Sequence, residues 1–174
     1  MIVIRSILLF AFFVLSGLLH SQTNVTMTLP VVTLMDIEPT GSFALNFTAP
    51  TEAGNAIGNP TPNTSKWINY TSAISSGGLS RRITASVNKV IAGVNIRLQA
   101  SAATGAGGGV LGTSAGLVTL STTATTIISG IGGAYTGNGS NNGHLLTISL
   151  TTNTYANLMA QANTAVVITY TITE

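Results

Sequence analysis

Apolar and polar residues alternate along most of this chain. Ser42–Ala49 (SFALNFTA) sets Phe43, Leu45 and Phe47 on one side and Ala44, Asn46 and Thr48 on the other. Arg81–Val90 puts Ile83, Ala85 and Val87 opposite Arg82, Thr84, Ser86 and Asn88. The pattern returns as Val94, Ile96 and Leu98, as Leu146, Ile148 and Leu150, and as Val166, Ile168, Tyr170 and Ile172. Period-two alternation predicts strands with one face buried and the other wet. The wet face is rich in Thr, whose β-branching suits a strand. Val25–Met35, Lys66–Ala73 and Leu117–Ser121 are weaker strand candidates.

Glycine, proline and asparagine punctuate these runs at Asn59–Asn63, Ser75–Gly78, Gly105–Gly109 and Gly130–His144, and each predicts a turn or loop. Only Thr154–Ala162 has helical spacing, through Tyr155, Leu158, Met159 and Ala162, enough for one or two turns. About eight strands joined by such turns predict an all-β fold, an antiparallel, immunoglobulin-like β-sandwich with Greek-key connections. No fixed-period repeat points to a solenoid.

The first 21 residues change the picture at one end. Arg5, an apolar run from Ile7 and an exit of small and polar residues predict a signal peptide over 1–21, cleaved before Gln22. The run is shorter than the roughly 20 apolar residues of a membrane span, so no span is expected after its removal. Residues 22–174 then form one domain, large enough to bury its own core. The sequence has no cysteine, which excludes disulfides and thiol chemistry. Among residues 22–174 the basic side chains are Lys66, Arg81, Arg82, Lys89 and Arg97, and the acidic ones are Asp36, Glu38, Glu52 and Glu174. So few cations cannot make the dense patch that nucleic-acid binding draws on.

Candidate chemistry is sparse. The Gly130–His144 stretch precedes a strand and holds neither Lys nor carboxylate, so it lacks what a phosphate loop or calcium loop requires. It reads as a connection, with Tyr135 and Asn138 as carbohydrate contacts in the alternative reading. Gly107–Ser114 has the glycine spacing of a phosphate-binding loop, but Thr113 stands where the lysine belongs. Gly112–Gly116 (GTSAG) fits the pattern of a nucleophile elbow, yet the acid and histidine that should follow Ser114 come in the wrong order, as Glu174 and His144. His144 has no sequence partner for catalysis and reads as a hydrogen-bonded histidine at the rim of the fold. Asp36 and Glu38, two apart on a strand, are spaced about 7 Å, but they lack cleft-lining aromatics and read as a solvated rim that pairs with Arg81 or Arg82. No cofactor, metal site or enzyme activity is expected.

Two features remain. Trp67 and Tyr70 have opposite parity, so one ring faces the core and the other solvent; the lone Trp67 of a β-sandwich is expected in the core, and in the alternative reading these rings stack on a sugar. At the start of residues 22–174, Val25, Met27, Leu29 and Val31 alternate with polar residues, and Pro30 confines that strand to an edge or a kink. Such a strand pairs in its own domain or adds to the edge of another.

With this N-terminal strand, the FALNF run and a closing TAVVITYT strand after a tyrosine-containing turn, the layout resembles secreted bacterial fimbrial or coat subunits of the spore coat protein U type. The resemblance implies a non-enzymatic, secreted or cell-surface role, structural or adhesive, with self or other surface subunits as partners. It departs from such subunits in having no cysteine for a disulfide. The alternative is a carbohydrate-binding module using Trp67, Tyr70, Tyr135 and Asn138. A flat face of Thr169, Thr171 and Thr173 against ice or mineral is a further possibility.

Overall fold

The computed structural model describes residues 22–174; the expected signal peptide, 1–21, lies outside them. The strands are β1 (Val32–Glu38), β2 (Asn63–Ala73), β3 (Arg81–Val87), β4 (Val94–Thr104), β5 (Gly108–Ser114), β6 (Leu117–Thr119), β7 (Thr125–Tyr135), β8 (Gly143–Thr152) and β9 (Ile168–Thr173). The class is all-β, and every pairing is antiparallel. All nine strands belong to one continuous hydrogen-bonded sheet rather than two separate ones.

The register explains how one sheet makes an inside. Along one edge β2 pairs first with β8 (Ile68 opposite His144) and then with β7 (Thr71 opposite Tyr135). β7 and β8 therefore lie end to end, and the loop Thr136–Asn142 is an excursion from that line. On the far side of β7, β5 follows the same line as β4, which pairs with β8. The sheet thus has two arms, β6-β4-β8-β2 and β7-β3-β9, that part at β2. Their inward residues meet in one apolar cluster: Ile96, Leu98, Leu146 and Ile148 from one arm, and Ile83, Val87, Ile127, Ile128 and Ile131 from the other. Burying each of these large aliphatic side chains contributes about 1.5–3 kcal/mol.

A further end-to-end pair matters for the termini. β3 and β2 both lie on the edge of β7 that faces away from β5, and β9 and β1 pair with their far edges. β9 and β1 therefore share one outermost line. Arg81 fastens the junction: its buried guanidinium donates from Nη1 to the Val32 carbonyl at 2.6 Å and to Ser72 Oγ at 2.8 Å, with Glu174 Oε1 3.9 Å from Nη2. The expected pairing of Arg81 with Asp36 or Glu38 is replaced by this contact.

Several sequence expectations shift. The N-terminal strand begins only at Val32 and extends to Glu38. Phe43–Phe47, despite its alternation, lies outside every strand, and the only bridge nearby joins Thr48 to Gly58. The helical hint reduces to one 3-10 turn, Tyr155–Asn157. The expected glycine-rich turns are narrower than Gly105–Gly109 and Gly130–His144: the chain turns at Gly105–Gly107 and Thr136–Asn142, while Gly108 and Gly109 open β5 and Gly130–Tyr135 ends β7.

Candidate functional site

Two places hold the residues singled out by sequence. The first is inside the fold. Tyr70 and His144 are fully or almost fully buried, and their rings stack at 21° with centroids 5.8 Å apart. His144 Nδ1 lies 2.8 Å from the Ser101 carbonyl, which can only accept, so Nδ1 carries the proton. Nε2 lies 3.0 Å from Tyr70 Oη, whose single proton is shared between Nε2 and the Leu111 carbonyl. This cluster ties together β2, β4, β5 and β8. Burial pushes the Tyr70 phenol well above its usual range. No carboxylate joins the cluster, so it has the hydrogen bonds of a structural clamp and no group to drive proton transfer.

Two expectations change here. His144 sits in the core rather than at a rim, because the bend between β7 and β8 places it beneath the line of β5. Tyr70 cannot serve as a sugar contact, because its ring is sealed inside. The opposite parity of Trp67 and Tyr70 holds, but the ring in the core is Tyr70: Trp67, expected there, lies half-buried on the outer face because Lys66, Ile68 and Tyr70 take the inward positions of β2.

The bend itself depends on Gly143. Its φ is +77°, and a Cβ there would lie 2.2 Å from the Ile68 carbonyl oxygen, so only glycine fits. The loop before it is held by amides. Asn69 Nδ2 donates to the Asn142 carbonyl at 2.6 Å, and Asn142 Nδ2 donates to the Asn138 carbonyl at 2.8 Å. The Ala106 amide donates to Asn142 Oδ1 at 2.9 Å, coupling this loop to the β4–β5 turn. Asn69 Oδ1, buried under the loop, has no hydrogen-bond partner among the described residues.

The second place is the N-terminal segment. Val25, Met27, Leu29 and Val31 are 86%, 86%, 80% and 60% exposed. They form no strand and no backbone pairing within the described residues. Upstream continuation of β1 is blocked because β9 occupies the same line and ends beside Val32. Pro30, without an N–H, reinforces that break.

Other candidates disperse. Asp36 is exposed, and its Oδ1 accepts from the amide of its neighbour Ile37 at 2.7 Å. Ser114 Oγ donates to the Ala100 carbonyl at 2.6 Å, linking β5 to β4. Thr169, Thr171 and Thr173 are exposed on the outermost strand, opposite Ser86, Thr84 and Arg82. Among the described residues, no three His, Asp or Glu side chains come together to hold a metal ion. Nor, among those residues, is any helix long and apolar enough to cross a membrane. No family model, curated protein or solved structure matches this chain.

Proposed function

We propose that this protein is a non-enzymatic, exported surface subunit, structural or adhesive, that associates with further copies or other subunits by strand addition. The observation that carries this reading is the free N-terminal segment. Four large apolar residues at strict period two stand exposed and unpaired, whereas the other unpaired alternating run, Phe43–Phe47, still packs Leu45 against the core. A strand with one apolar face and unpaired backbone groups gains by joining a sheet edge.

The acceptor in this reading is the outer edge of β9. There Ile168, Tyr170 and Ile172 point inward but remain only partly covered. A strand laid beside them would extend the inner face over that gap. The two arms are read as the layers of an immunoglobulin-like sandwich, with the leader and the resemblance to coat and fimbrial subunits supporting export.

The cysteine-free sequence allows a clean test. Thr26→Cys and Thr28→Cys, on the polar face of the segment, are each mixed with Thr171→Cys under a mild oxidant. The reading expects a disulfide-linked heterodimer from at least one mixture. Absence of any cross-link in both mixtures contradicts it.

A further inference from the structure

The outer face of β2 brings together residues that lie far apart in sequence. Trp67, Asn69 and Thr71 alternate onto that face. Across β1, Glu38 stands opposite Trp67, Asp36 opposite Asn69 and Leu34 opposite Thr71. On the other side, Leu145 stands beside Trp67 and Tyr135 beside Thr71. Directly paired antiparallel residues share a face, so Trp67 and Tyr135 look outward from the same side. Four residues of strand separate their rows, about 13 Å.

Tyr135 is built as a platform. It is 55% exposed, and its ring leans over Gly108, where a Cβ would lie 3.2–3.4 Å from Cε1, Oη and Cζ. One side of the ring is thus seated on bare backbone and the other is open. Between the two aromatic rows emerges the Thr136–Asn142 loop, pinned from below by Asn69. Its Asn138, Ser140 and Asn141 side chains are exposed. Asn142 alone is used up in holding the loop's shape.

We infer that this face is a binding strip for a neutral oligosaccharide, with Trp67 and Tyr135 as stacking platforms. Asn138 and Asn141 supply amide partners for its hydroxyls, and Asp36 and Glu38 supply acceptors. Charge selects against the other ligands that stack on aromatic rings. Two carboxylates border the strip, and Arg97 stands opposite Ser149, four residues along β8 from Leu145. A polyanion such as single-stranded nucleic acid needs a cationic track along its backbone, whereas a sugar needs ring faces and uncharged or acceptor groups. The inference is independent of strand addition and stands whether or not the N-terminal segment is donated.

Trp67 is the only tryptophan in the sequence, so its emission reports on the strip directly. The purified protein is titrated with β-1,4-linked glucose, β-1,4-linked N-acetylglucosamine and α-linked mannose hexasaccharides, and with oligothymidylate. The expected result is a saturable change in Trp67 emission with at least one hexasaccharide and none with oligothymidylate. Tyr135→Ala should then weaken that binding about tenfold, as loss of one stacking ring implies. Tyr135→Phe, which keeps the ring, should bind as the parent does. Circular dichroism on Tyr135→Ala confirms that the exposed position leaves the fold intact. No response to any hexasaccharide, a response to oligothymidylate alone, or undiminished binding by folded Tyr135→Ala each overturns the inference.

Discussion

The segment Val25–Val31 and the strand Ile168–Thr173 are written in the same pattern, yet the fold treats them oppositely. Ile168, Tyr170 and Ile172 lie opposite Val87, Ala85 and Ile83 and pack on the core. Val25, Met27, Leu29 and Val31 have no such partner and stand in solvent. Alternation encodes a strand's two faces, but the partner is decided by which edge is free. Here the two segments compete for one line of the sheet, and β9 holds it. The N-terminal segment keeps the alternation of a strand but pairs with nothing among the described residues.

That contrast can be broken first at its strongest point. Ile83→Ala, at a fully buried position of the strand that supports β9, should lower stability by about 2–5 kcal/mol in urea denaturation. Met27→Ala should stay within about 0.5 kcal/mol of the parent under conditions that keep the protein monomeric. A comparable loss for Met27→Ala would mean the segment is buried in its own domain.

The internal clamp gives a smaller effect. Tyr70→Phe removes the hydroxyl shared by Leu111 and His144, leaving buried acceptors short of a donor, and should cost about 1–3 kcal/mol. The same tyrosine predicts an alkaline limit. Burial raises the phenol pKa of Tyr70 and of Tyr170 in the folded protein, while the unfolded chain ionises near pH 10. Above that pH the unfolded state binds fewer protons, so stability is flat near neutrality and falls as pH rises past about 10. The slope is up to about 1.4 kcal/mol per pH unit for each tyrosine. Tyr170→Phe should reduce it, measured as melting temperature against pH, whereas an unchanged slope would remove Tyr170 from the account.

How far the sequence could be read follows from the range of the forces involved. Strands β2, β3, β4, β8 and β9 were legible because burial on one face imposes period two locally. β5 and the end of β7 were not. Their glycines, several at positive φ, accommodate bulges against a neighbouring strand, and that need arises only once Gly109 and Gly133 are brought together. Phe43–Phe47 shows the reverse error, alternation without a ladder, since the pattern carries no information on available edges. At the candidate sites the parity of Trp67 and Tyr70 was visible from their spacing. The burial of His144 was not, because it depends on β7 and β8 sharing a line along β2. The adjacency of Trp67, Asp36 and Tyr135 likewise exists only through long-range pairings, Asp36 with Asn69 in β1–β2 and Thr71 with Tyr135 in β2–β7.

The central claim, that the N-terminal segment serves another copy, is tested most directly by mass in solution. Size exclusion with light scattering would compare purified residues 22–174 with a variant lacking residues 22–31, over a range of concentrations. The account predicts dimers or longer assemblies for the first and a folded monomer for the second. A monomer at every concentration for the intact protein, or a truncated variant that no longer folds, would contradict it.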